Sequence, residues 1–225
     1  MNWRSISKVI DASVLKPNTT VEEVQRLAYE AINDEYRSVC VPPYLVKFAY
    51  DLVKNSNTKI CAVVAFPFGY NALSTKLYEV RTAIEMGANE IDYVINLGAY
   101  FSYGDEAIAI EASKIVEEAK ASGADVVKAI IEVGYLSEKQ IVEVSKTCVS
   151  SGVDYIKTST GFGPRSTKVE DVRLIRSAIG NKAGVKAAGG IRTLDELLSF
   201  LEAGANIIGT SHFYEIVSEA KRRFK

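Results

Sequence analysis

One histidine, His212, stands in a chain of 225 residues. Zinc sites built on two or three histidines are therefore excluded, as is the H-E-x-x-H pattern. A serine–histidine triad would have to use His212 itself. Cysteine is scarce as well: Cys40, Cys61 and Cys148 form no C-x-x-C pair. An odd count at wide spacing reads as reduced, buried thiols in a cytoplasmic protein, not as a disulfide framework. No G-x-G-x-x-G or Walker A pattern occurs, so the usual nucleotide cradles are missing. The longest apolar run, Ile60 to Phe66, is far too short to span a membrane. The N-terminal M-N-W-R-S-I-S-K lacks an apolar signal core, so a cytoplasmic location is expected. Neither sign of charge prevails, with 27 basic against 28 acidic residues. The basic excess that nucleic-acid or membrane-surface partners require is absent.

What the chain does contain is a recurring junction. It reads Gly87-Ala-Asn-Glu-Ile, Gly123-Ala-Asp-Val-Val, Gly152-Val-Asp-Tyr-Ile and Gly204-Ala-Asn-Ile-Ile. Each glycine follows a helix-like stretch and suits the left-handed end of a helix. Each apolar run after it suits a buried parallel strand. Strands are expected near 10–15, 37–41, 59–66, 89–96, 125–132, 153–158, 184–188 and 206–210. Thr20 with Glu23, Ser137 with Gln140, Thr167 with Glu170 and Thr193 with Glu196 fit capping boxes at helix starts. Eight strands at roughly 28 residues per unit predict an α/β protein, a (β/α)₈ barrel forming a single domain over residues 1–225. The rival is an open doubly wound sheet. It is disfavoured because Leu15-Lys-Pro-Asn stands where a glycine-rich loop would follow the first strand.

Three predicted strands carry a lysine within apolar surroundings: Lys128 on the fifth, Lys157 on the sixth and Lys186 on the seventh. One such lysine would read as a structural pair or a snorkelling side chain; three on consecutive strands read as a site. Two ammonium groups about 6 Å apart repel by roughly 2–3 kcal/mol at an effective dielectric of 20. That repulsion lowers one lysine pKa by about two units from about 10.4. An amine freed in this way attacks a carbonyl to form a Schiff base. Asp92, which shares a strand face with Glu90, Val94 and Asn96, is the matching carboxylate, either a proton shuttle or a buried ion pair. Gly189-Gly190-Ile-Arg-Thr and Gly209-Thr-Ser-His follow the last two strands and open helices, the places where barrels often bind phosphate. Phe66-Pro-Phe-Gly-Tyr reads equally as a core-to-loop junction or an active-site wall.

At these residues the chain resembles the deoxyribose-phosphate aldolase family. The likeness runs from Ile10-Asp-Ala-Ser-Val-Leu-Lys-Pro to Gly209-Thr-Ser. It includes Val39-Cys-Val-Pro-Pro, Val63-Val-Ala-Phe-Pro-Phe-Gly, Glu90-Ile-Asp-Tyr-Val-Ile-Asn-Leu-Gly, Lys157-Thr-Ser-Thr-Gly-Phe and Val185-Lys-Ala-Ala-Gly-Gly-Ile-Arg-Thr. The resemblance implies a (β/α)₈ barrel that uses a Schiff base with no metal or other cofactor. Its implied reaction is reversible cleavage of 2-deoxy-D-ribose 5-phosphate to D-glyceraldehyde 3-phosphate and acetaldehyde. It puts Lys157 on the Schiff-base lysine, Lys186 on the lysine that lowers its partner's pKa, and Asp92 on the proton relay. Gly161, Gly189, Gly190, Gly209 and Ser211 fall on the phosphate-binding loops, and a homo-oligomer is implied.

Several positions depart from the family's usual residues. Ala12-Ser13 replaces a common His-Thr, Pro42 a frequent Asn, and Val133 a frequent Thr. Arg165-Ser-Thr-Lys stands where Gly-Gly-Ala-Thr is often found, either adding charge for the phosphate or lying in solvent. The C-terminal tyrosine of some members is absent, and His212 follows Gly209-Thr-Ser where serine or alanine is usual. There the histidine either lends a donor to the phosphate or is an exposed capping-region residue, and in both cases the chemistry stays with lysine. Two other functions are open to such a barrel. One is a phosphosugar isomerase or epimerase with a carboxylate base, the other a catalytically silent phosphosugar-binding protein.

Overall fold

A computed structural model describes residues 2–224. Eight parallel strands close on themselves in sequence order: β1 Ile10–Ser13, β2 Ser38–Val41, β3 Lys59–Val64, β4 Glu90–Val94, β5 Val126–Ile130, β6 Tyr155–Lys157, β7 Gly184–Ala188 and β8 Ile207–Thr210. The outer ring is α2 Val21–Asn33, α3 Val46–Val53, α4 Leu73–Glu85, α6 Asp105–Ser122, α7 Glu138–Ser150, α8 Val169–Ile179, α9 Leu194–Glu202 and α10 Phe213–Arg223. A short α1, Trp3–Ser7, precedes the barrel, and α5, Leu97–Tyr103, follows β4. All eight expected strands are present, each slightly shorter than or equal to its apolar run. The open-sheet alternative fails because β1 pairs with β8 through Ile10–Ile208, Asp11–Gly209 and Ala12–Thr210. No described helix is long and apolar enough to cross a membrane.

The recurring junction has a physical cause. All four glycines take a left-handed φ, between +94° and +108°. In each case the next residue donates its N–H five residues back: Ala88 to Ala83, Ala124 to Ala119, Val153 to Cys148 and Ala205 to Phe200. This is the Schellman closure that satisfies a helix's last carbonyls. At three of the four junctions the following Asn or Asp then fastens the chain to the preceding strand. The Asn89 side chain accepts from Ile60 N at 2.9 Å, Asp154 from Val127 N at 2.8 Å and Asn206 from Val185 N at 3.0 Å. One tetrapeptide thus stops a helix and sets where the next strand starts.

Three of the four expected capping boxes form, at Thr20, Ser137 and Thr193. The fourth does not. Helix α8 takes its N-cap one residue later, at Lys168, whose N–H donates to Asp171 at 2.8 Å. Thr167 is buried instead, and its hydroxyl bonds Thr158, Ser159 and the Ala188 carbonyl. Tertiary bonds outcompeted the local cap.

Outside the barrel lumen, Lys76 on α4 is wholly buried and donates to Glu111 of α6 at 2.5 Å and to the Val94 carbonyl at 2.8 Å. The other Glu111 oxygen accepts from Asn96 N at 2.9 Å, fixing the end of β4. Glu111→Leu strands a buried ammonium, so urea unfolding is expected to show a loss of about 3–5 kcal/mol. A loss under 1 kcal/mol would show that this pair does not hold the α4–α6 seam.

Candidate active site

A (β/α)₈ barrel normally fills its lumen with branched apolar side chains. Here one stretch of the lumen is ionic. Register pairs Asp92 with Lys128 across β4–β5 and Lys157 with Lys186 across β6–β7. Their side chains therefore meet inside the barrel, each at most 2% exposed.

Asp92 is the hub. Its Oδ2 accepts from Lys157 at 2.9 Å and from Lys186 at 2.7 Å; its Oδ1 accepts from Lys128 at 2.8 Å and from the Cys61 thiol at 3.1 Å. The Lys157 and Lys186 amines thus share a single oxygen. Lys186 also donates to Asp11 at 2.6 Å, and Lys128 to Glu90 at 2.6 Å. Burial alone would push the Lys186 and Lys128 amines down. The carboxylates beside them more than offset this and hold both above the ordinary lysine range. Burial likewise opposes ionisation of Asp11 and Asp92, but the lysines around them hold both well below the ordinary carboxylate range. Lys186 is thus a persistent cation, set against Lys157 through a shared anion. Its charge and its partner Asp92 were expected from the sequence; Asp11, the second carboxylate that keeps it charged, was not.

Gly209 was expected in a phosphate loop, but it lies within β8. A side chain there would meet Lys186 Cε at 3.0 Å and Ala188 Cβ at 3.0 Å, so the glycine makes room for the lysine. The other predicted loop residues converge at the carboxyl ends of β6, β7 and β8. Thr158 donates to the Ala188 carbonyl at 2.9 Å, and Thr167 N donates to Gly189 O at 3.0 Å. A side chain on Gly161 would meet Gly189 Cα at 3.9 Å, and one on Gly190 would collide with Ser166. Thr210, beside exposed Ser211, donates to the Ile191 carbonyl at 2.7 Å, tying the last loop to the Gly190 loop. Glu132, buried after β5, accepts from Thr160 N at 3.0 Å and also from the Thr160 hydroxyl, which sets the turn before Gly161. Arg165 does not lie free in solvent. It grips Asp171 at 2.7 and 2.9 Å and the Val133 carbonyl at 3.2 Å. His212 stands at the start of α10 without capping it through its side chain; its N–H donates to Thr210 at 2.9 Å.

The aromatic run forms a wall. The Phe66 ring lies 5.9 Å from Lys157 Nζ and meets Phe162 edge-on at 5.6 Å. Beyond it, Pro67, Phe68, Tyr70, Phe101, Tyr135 and Phe162 help line a cavity of about 230 Å³. Asp11, Glu90 and Cys61 were missed as members of the cluster. Asp11 carries the signature that singled out Asp92, a carboxylate within an apolar strand. Arg37 also reaches the cluster, and no local pattern marks it.

Comparisons with known proteins agree with this geometry. Residues 6–212 match the model of the DeoC/LacD family aldolases. The chain belongs to that aldolase family. Among its relatives, the deoxyribose-phosphate aldolase of Thermococcus kodakarensis is 44% identical over 98% of this chain and 99% of its own. That of Caldanaerobacter subterraneus is 41% identical over 97% and 95%. A tetrameric deoxyribose phosphate aldolase from Aeropyrum pernix superposes with a TM-score of 0.91 at 34% identity, covering 98% of this chain and 92% of that one.

The cluster couples stability to pH with a defined sign. Asp11 and Asp92 are held below 3.8, so their contribution is complete above that value and is lost as pH falls through the folded-state value. Lys128 and Lys186 are held above 10.5, so theirs is complete below that value and is lost only at higher pH. Urea unfolding should give a plateau from about pH 5 to about pH 10 and a decline in acid. Asp11→Asn should flatten that decline; an acid decline as steep as the wild type's would contradict the pairing.

Proposed function

We propose that this protein is a Schiff-base aldolase that reversibly cleaves 2-deoxy-D-ribose 5-phosphate to D-glyceraldehyde 3-phosphate and acetaldehyde. The observation that carries the reading is the single Asp92 oxygen shared by Lys157 and Lys186. Lys157, nearest the aromatic wall, attacks the aldehyde carbon of the open sugar. Loss of water from the carbinolamine gives an iminium ion. The 3-hydroxyl then gives up its proton, the C2–C3 bond breaks, and its electron pair moves into the iminium to form an enamine. Glyceraldehyde 3-phosphate leaves. Protonation of the enamine carbon and hydrolysis release acetaldehyde and restore the amine. Asp92 bridges the amines and passes protons between them and water, while Lys186 keeps positive charge beside the reacting nitrogen.

The loops of Gly161, Gly189, Gly190 and Ser211 hold the phosphate, and Gly209 serves them indirectly by seating Lys186. No step requires a metal or another cofactor. The isomerase reading needs a carboxylate that accepts a proton from carbon. Such a base needs no reactive amine, so that reading leaves the Lys157–Lys186 pair on one Asp92 oxygen without a task. The silent-protein reading leaves an unpaid desolvation cost for three lumen lysines with no chemistry to require them. A cytoplasmic homo-oligomer without nucleic-acid partners fits the three free thiols and the tetrameric Aeropyrum relative.

Borohydride reduction in the presence of acetaldehyde should trap an ethyl group on Lys157. An adduct on Lys128 or Lys186, or none, would overturn the assignment. Lys186→Leu should move the acid limb of the pH–rate profile to higher pH. Asp92→Asn should slow turnover by about 10²–10⁴-fold while leaving some adduct to be trapped; near-normal turnover would exclude the relay.

A further inference from the structure

Arg37 enters the same cluster from the opposite end of the barrel. It lies just before β2, with its backbone held in register by Ile10 O at 3.1 Å and Lys59 N at 3.1 Å. Its guanidinium donates to Asp11 Oδ1 at 2.8 Å and grips Glu90 through two bonds, at 2.7 and 2.8 Å. The remaining Asp11 oxygen goes to Lys186, and Glu90 Oε2 is shared with Lys128. The guanidinium stays charged at any working pH. Nothing in the Schiff-base chemistry uses it directly.

The charge balance shows what it does. Asp11, Glu90 and Asp92 supply three negative charges, and Lys128, Lys157 and Lys186 would match them one for one. Arg37 is a fourth cation, so the cluster carries one positive charge in excess. The lysines do not share that excess evenly. Lys186 bonds two carboxylates, Asp11 and Asp92, and so does Lys128, Glu90 and Asp92. Lys157 touches Asp92 alone, at the oxygen Lys186 already uses. The ionic contact of Lys157 is Asp92 on β4, which also holds Lys128 of β5 and Lys186 of β7; Asp11 of β1 lies beyond Lys186. The Cys40 and Cys61 thiols on β2 and β3 complete the ring. Lys157 is the least compensated cation of the cluster.

We propose that Arg37 is a positioning residue for the aldol reaction. By occupying Asp11 and Glu90 from the amino end of the barrel, it leaves Lys157 as the surplus cation and therefore as the free amine that attacks. The inference rests on the Schiff-base reading above. It adds that the nucleophile is selected by a residue on the far side of the ionic cluster, through charge balance and without contact.

The test is the rate of Schiff-base formation with acetaldehyde as a function of pH, read by borohydride trapping and mass mapping. Arg37→Met removes the fourth cation, and its acid limb should move to higher pH by roughly one unit. The double variant Arg37→Met with Glu90→Gln removes one charge of each sign and restores the excess, so its limb should return to within a few tenths of the wild-type position. A merely structural role would leave the double variant further impaired. A folded Arg37→Met enzyme with the wild-type limb overturns the proposal, as does a double variant displaced to higher pH. If Arg37→Met does not fold, the double variant alone decides. Failure of the wild-type protein to trap any adduct on Lys157 would instead overturn the Schiff-base reading.

Discussion

Three ammonium groups share one buried carboxylate. Asp92 accepts from Lys128, Lys157 and Lys186 in a lumen from which water is nearly excluded. Isolated charges there would each cost several kcal/mol, so the cluster persists only as a set. Asp11 and Glu90 supply the additional anions, and Arg37 ties these two together. A change at any member alters the charge that the others experience, and this gives the centre its chemical bias. One lysine is left with half a carboxylate oxygen while its neighbours have two carboxylates each.

The fold serves that arrangement from both ends. At the amino ends of the strands, the Schellman junctions stop the helices, and their Asn or Asp side chains fix the strand starts, as at Asn89, Asp154 and Asn206. Register then follows, and register makes Lys157 and Lys186 neighbours. At the carboxyl ends, the hydroxyls of Thr158 and Thr167 join the loops after β6 and β7. Gly209 leaves space in the wall of β8 for the Lys186 side chain. Rigid strands hold the reacting nitrogen, and cross-linked loops hold the surface a phosphate would meet.

Much of this was legible in the sequence because its causes are local. The glycine junctions mark helix ends, and the β-branched runs mark strands. Lysines within those runs mark a site, since a strand buried on both faces has no solvent for them. What was not legible depends on register and reach. Asp11 had the same local signature as Asp92 but no partner visible along the chain. Arg37 precedes a strand, where an arginine is ordinarily solvated, and only barrel closure aims it at Asp11 and Glu90. Thr167 fitted a capping box by spacing, yet the Ala188 carbonyl and the Thr158 hydroxyl were within its reach and took it into the interior. Arg165, open between solvent and phosphate by sequence, was claimed by Asp171 six residues on.

The central claim is that the cluster keeps Lys186 charged while Lys157 is the amine set free. Nitrogen-15 NMR of the lysine side-chain amines, assigned through Lys157→Arg and Lys186→Arg variants and followed from pH 6 to the onset of unfolding, tests it most directly. The account predicts that the Lys186 resonance keeps its ammonium position throughout. Loss of the Lys186 proton within that range would contradict it.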